Sequence, residues 1–118
     1  MEFANLYDHG FVRVAACTLP ITLVQPLKNA DAVAAIAREC ADEGVALAVF
    51  PELCLTGYSI EDLLLNDTVL EAADQAAGAL AEATAELDVV IVAGAPLRSL
   101  NRIYNCAVVL HRGQILGV

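Results

Sequence analysis

The 118-residue chain reads as an α/β domain with a mixed sheet and helices over one face. Three observations carry that reading. Two apolar runs, Val45 to Phe50 and Asp88 to Ala95, lack polar alternation, as strands buried on both faces do. A segment with helical spacing precedes each of them. The chain then closes on two further apolar segments, Ile103 to Leu110 and Gln114 to Val118, joined by His111-Arg112-Gly113 as a plausible hairpin.

In chain order, Phe11 to Cys17 is the first strand, mostly apolar and β-branched. Thr18 to Lys28, with Pro20 and Pro26, is an irregular connection. Asn29 is placed to cap a helix that runs to about Glu43 and stops at Gly44, with Ala30, Val33, Ile36, Ala37 and Cys40 on one face. The strand Val45 to Phe50 leads into a turn at Glu52. Ser59-Ile60-Glu61-Asp62 has the form of a capping box and opens a short helical stretch through Leu65. Asn66 or Asp67 caps a longer helix to about Leu87, whose face carries Val69, Leu70, Ala73, Ala76, Ala77 and Leu80. The order is β-α-β-α-β-β-β, in a two-layer arrangement.

Composition narrows the function. Hydrophobic residues make up 58% of the chain, above the ~45–50% of ordinary soluble domains. The mean hydropathy is +0.63. Much of the excess is alanine, which suits close-packed helices, and the rest points to apolar surface that needs a further cover. The net charge of -9, from 15 acids against 6 Lys and Arg, argues against nucleic acid and anionic membranes. The longest uncharged stretch, Val14 to Leu27, is too short to span a bilayer and holds two prolines. Residues 1–8 lack a basic and then apolar leader pattern, so no signal peptide is expected. Cys17, Cys40, Cys54 and Cys106 form no C-x-x-C and no ligand spacing with His9 or His111; a reduced, cytoplasmic protein with no metal site follows.

Glu52 is the strongest chemical clue, because it places a charge at the end of a buried strand, where α/β proteins assemble their sites. It reads either as a loop carboxylate stabilising the next helix or as a general base whose proton affinity is raised by apolar neighbours. Pro51 before it and Gly57 after it would hold it in one orientation. Cys54 would share its face in an extended segment, yet no histidine stands near to activate that thiol. Tyr58 either lines the mouth of the same pocket or lids the core. Asn105 reads as a structural amide tying down nearby backbone, and Arg98 to Arg102 as a solvated turn. No Gly-rich phosphate loop is present.

Pro51-Glu52-Leu53-Cys54-Leu55-Thr56-Gly57-Tyr58 resembles the P-E-x-x-x-x-G-Y signature of the nitrilase, or carbon–nitrogen hydrolase, superfamily. Ala93-Gly94-Ala95-Pro96, Tyr104-Asn105-Cys106-Ala107-Val108-Val109 and Gly113-Gln114-Ile115-Leu116-Gly117 agree in order. Within the superfamily, residues 57–64 and 7–15 are most similar to the N-terminal glutaminase domain of glutamine-dependent NAD synthetases. The resemblance implies an α-β-β-α sandwich of which residues 1–118 are an incomplete N-terminal portion. It further implies a Glu-Lys-Cys triad in which Glu52 is the base and Tyr58 lines the substrate site. The Lys is expected shortly beyond Val118 and the nucleophile later still, so none of the four cysteines here takes that role. L-glutamine is the implied substrate. ATP and magnesium are implied only for a synthetase domain outside this segment, which itself needs no cofactor. The parent is expected to be a cytoplasmic homo-oligomer, and the isolated chain inactive. The alternatives are a piece of a stand-alone amidase and a non-catalytic α/β association module. An apolar sheet face left open beside Glu52 would speak for the enzyme portion; a fully covered sheet with Glu52 in bulk solvent would speak for the module.

Overall fold

The computed structural model describes residues 2–118; Met1, part of the expected 1–118 span, lies outside them. Five strands form one sheet: β1 (Val14–Ala16), β2 (Leu47–Val49), β3 (Val90–Ser99), β4 (Arg102–His111) and β5 (Gln114–Gly117). Their spatial order is their chain order. β1, β2 and β3 are parallel; β4 and β5 continue antiparallel. Helices α1 (Pro26–Asp42) and α2 (Asp67–Ala83) make the two crossovers between parallel neighbours. Right-handed crossovers between strands that advance in one direction bring both helices to the same face. There Val33, Ala34, Ala37, Ala76, Ala77 and Leu80 close the core against Ala48, Ile91, Ala93, Ala95, Val108 and Leu110.

The opposite face has no such cover. Ala16, Val49, Val92 and Val109 lie in one row across four strands by register, with Val14, Leu47 and Val90 in the next row. Val14 is 63% and Val49 42% exposed. The apolar excess of the composition thus has a location.

Several local expectations are corrected. α1 begins at Pro26, a turn before Asn29, because proline is pre-set for the first helical position. Asn29 is therefore a helical residue and buried, and its amide braces the fold. Its Oδ1 accepts from Thr22 N (2.9 Å), and its Nδ2 donates to Thr22 O (2.8 Å) and Leu55 O (2.9 Å). The capping box at Ser59 does not form; Glu61–Leu65 is a 3-10 turn preceded by Ile60 without a side-chain cap. Asn66 does cap α2, accepting from Thr68 N and Val69 N. That helix ends at Ala83 rather than Leu87, where the buried Thr84 hydroxyl donates back to Leu80 O at 2.8 Å.

β3 runs on to Ser99, past the expected end at Ala95, because β4 pairs with it over nine residues. Pro96 is tolerated within it. The carbonyls of Val92 and Gly94 point to the β2 side, where they accept from Phe50 N and Leu55 N. The missing N–H of Pro96 points to that side too, beyond the end of β2.

Both hairpins use two-residue turns with positive φ at each position: Leu100 (49°) and Asn101 (62°), then Arg112 (48°) and Gly113 (81°). The solvated turn expected over residues 98–102 is thereby tightened to two residues. Leu100 is 95% exposed and bears left-handed backbone without a packing return. Leu100→Asn is expected to stabilise the chain by about 0.5–1 kcal/mol, read as a higher urea midpoint at unchanged m-value. At the second hairpin, His111 and Arg112 both bond Asp88 at 3.1 Å and hold its carboxyl below the usual carboxylate range. No helix is long and apolar enough to cross a membrane among the described residues.

Candidate active site

The carboxyl end of β2 leads directly into the site. Phe50 N still donates to Val92 O of β3 (2.8 Å), after which Pro51 ends the ladder and the chain turns. Cys54 N bonds Pro51 O, and Thr56 N and Gly57 N both bond Leu53 O. Leu53 has φ 52°, so the segment is not extended. Glu52 and Cys54 therefore do not share a face. Glu52 points to solvent, whereas Cys54 is 1% exposed.

This turn is fastened from three directions. Leu55 N donates to Gly94 O at 3.1 Å. Asn29 of α1 donates to Leu55 O. Val24 N donates to Thr56 O at 2.8 Å. The turn also lies flat on β3 at Gly94, where a Cβ would sit 2.3 Å from Leu53 N and 2.6 Å from Pro51 O. Only glycine admits that approach. Gly57, at φ 101°, is likewise closed to a side chain, with Leu23 Cδ2 2.5 Å from where a Cβ would be.

Glu52 is exposed, so the apolar enclosure expected around it is absent. Its carboxylate instead accepts a hydrogen bond from the side-chain amide of Asn105 on β4. Asn105 pairs with Pro96, two residues from the Gly94–Ala107 pair. By strand alternation Asn105 shares its face with Ala107 and Val109, the uncovered face of the sheet. An exposed carboxylate, one oxygen held by an amide, thus stands at a strand end beside open apolar sheet. This is the arrangement that speaks for the enzyme portion rather than the association module.

Tyr58 follows Gly57 and is 70% exposed, so it does not lid the core. The cysteines are placed for packing. Burial pushes the Cys54 thiol up, and its Sγ lies 3.7 Å from Gly94 O. Cys17 and Cys40 have their sulfurs 3.9 Å apart, and burial together with that neighbour raises Cys17 to about 11. At pH 8 iodoacetamide should therefore alkylate Cys17 about 100-fold more slowly than an ordinary exposed thiol, with the rate climbing as pH approaches 11. His111 is held by Asp88, and His9 lies in the N-terminal segment against Phe3 O. No group of three or more His, Cys, Asp or Glu is arranged to hold a metal ion among the described residues.

Asn29, Gly94 and Asn105 are the contributors that sequence reasoning passed over or gave other jobs. For Asn105 the signal was available: a polar residue in step with Ala107 and Val109 on one strand face.

A strand-end glutamate on a glycine-docked turn thus stands at the carboxyl end of β2, beside a sheet that helices cover on one face. Residues 13–118 match the carbon-nitrogen hydrolase family, and the chain belongs to it. Among its relatives, the glutamine-dependent NAD(+) synthetase of Mycobacterium tuberculosis is 57% identical over all 118 residues, which make up 17% of that protein. The crystal structure of a glutamine-dependent NAD(+) synthetase from Cytophaga hutchinsonii superposes with a TM-score of 0.82 at 28% identity, over 90% of this chain and 18% of that one. An amidase from Nesterenkonia shares the fold, with a TM-score of 0.77 at 20% identity over 90% of this chain and 41% of its own. The chain thus spans less than a fifth of the length of its NAD synthetase relatives.

Proposed function

We propose that this chain is the N-terminal portion of the glutaminase domain of a glutamine-dependent NAD synthetase, and that Glu52 is the general base of its Glu-Lys-Cys triad. The observation that carries the reading is the carboxylate of Glu52, presented at the end of β2 and held by Asn105 beside the uncovered sheet face. The 57% identity along the whole chain supports the same reading. The uncovered valine rows supply the surface on which the second sheet of an α-β-β-α sandwich would pack.

In this chemistry Glu52 takes the thiol proton as sulfur attacks the side-chain carbonyl of L-glutamine. The ammonium of Lys steadies the oxyanion. The C–N bond then breaks, the proton passes from Glu52 to the leaving nitrogen, and ammonia departs. Glu52 next takes a proton from water, whose oxygen displaces the thiolate to release glutamate, and the thiolate then recovers that proton from Glu52. In the parent enzyme that ammonia amidates nicotinic acid adenine dinucleotide. Tyr58, exposed beside the turn, lines the substrate side. Glu52 is the single triad position that this segment matches; Lys28 is exposed near the start of α1 and is not its partner.

ATP and magnesium belong to the synthetase part of that enzyme. The residues here do not fit them: they include no phosphate loop and, among those described, no metal-holding cluster. The parent acts as a cytoplasmic homo-oligomer. The test is ammonia release from glutamine. The full-length protein is expected to release it and the 118-residue polypeptide to release none. Turnover by the polypeptide alone, or a full-length protein with no glutaminase activity, would sink the proposal.

A further inference from the structure

We infer that Asn105 is the positioning residue of Glu52: its amide holds one carboxylate oxygen so that the other is presented to the reacting groups. The inference rests on the reading of Glu52 as the general base. An ionised carboxylate only accepts, so the end of Asn105 that meets it is Nδ2, the donor. No ion pair reaches Glu52 among the described residues, and Asn105 is its one side-chain hydrogen-bond partner there. A glutamate on an exposed turn would otherwise sample many rotamers, and a base displaced by about 1 Å loses on the order of a hundredfold in rate.

The geometry gives that contact a stiff frame. The main chain on either side of Glu52 is docked on Gly94 of β3, while its carboxylate is held from β4. Gly94 pairs with Ala107, and Pro96 with Asn105. Both anchors thus belong to one hairpin, registered over nine residue pairs. The backbone and the charge of Glu52 are fixed to the same rigid body from two sides. Glu52 is the one side-chain hydrogen-bond partner of Asn105 among the described residues, so the amide has no competing contact there.

The test compares Asn105→Asp, Asn105→Leu and Glu52→Gln in the full-length enzyme. Aspartate keeps the shape of asparagine but cannot donate when ionised; leucine keeps the bulk and removes all polarity. Both are expected to lower kcat for glutamine about 10- to 100-fold, with KM within about threefold and unfolding still a single cooperative transition. A second readout needs no activity. Asn105→Asp should lower the melting midpoint by placing two carboxylates together, and Glu52→Gln should relieve that loss. If Glu52→Gln retains full activity, the general-base reading fails. If Glu52→Gln is inactive while both Asn105 variants turn over normally, the positioning inference alone fails. It fails equally if Asn105→Asp lowers the midpoint by the same amount in both backgrounds, because the side chains then do not meet.

Discussion

Gly94→Val is expected to silence the glutamine hydrolysis proposed for the full-length protein and to destabilise the fold by about 3 kcal/mol or more. The contact it violates is with main chain, which cannot rotate away. A Cβ at residue 94 would lie 2.3 Å from Leu53 N, 2.6 Å from Pro51 O and 2.8 Å from the carbonyl carbon of Glu52. The turn would have to lift off β3, breaking the bond from Leu55 N to Gly94 O and moving Glu52 away from Asn105. Alanine meets the same atoms and should cost nearly as much. Gly78, inside α2 with open space around it, is the control: Gly78→Ala should be neutral or stabilising by up to about 1 kcal/mol. Urea unfolding and ammonia release measure both effects, and a Gly94→Ala protein of unchanged stability would mean that the turn is not seated on β3.

The second large effect is expected at Asn29. Asn29→Leu keeps the branched shape but removes the bonds to half-buried Thr22 N and buried Leu55 O, while Thr22 O keeps only the 3.4 Å bond from Gln25 N. An unpaired buried backbone group costs about 1–3 kcal/mol and a half-buried one less, so a loss of about 2–4 kcal/mol is expected. Part of that loss is local, because Leu55 O belongs to the turn that carries Glu52. Glutaminase activity measured well below the melting midpoint should therefore fall too. A variant that loses stability but keeps full kcat would show that the turn is set by Gly94 and Val24 without help from α1.

The fold was legible wherever a pattern was long. Both helices, the parallel strands and the hairpin at His111-Arg112-Gly113 were expected, and of Asn66 and Asp67 it is Asn66 that caps α2. What misled was local competition between equally reasonable signals. Asn29 has the chemistry of a cap, but Pro26 is the stronger helix start, and the amide was released for a tertiary task. Ser59 to Asp62 spells a capping box, but Glu61 adopts φ 48° and the segment forms a tight 3-10 turn. Glu52 stood out because charge at the end of an apolar strand is anomalous. Its surroundings were not, because the approach of Gly94 and the reach of Asn105 depend on strand register, and register is fixed only when distant segments pair.

The strand order, identical to the chain order, bears on how the protein is made. Each strand emerging from the ribosome finds its partner already laid down, and no strand waits for a later one to be inserted between it and its neighbour. The sheet can grow by addition at one edge, with each crossover helix settling as its strand arrives. During that growth the valine rows face solvent unshielded. Chaperone demand should accordingly be highest once β3 has docked and for as long as those valines stay open.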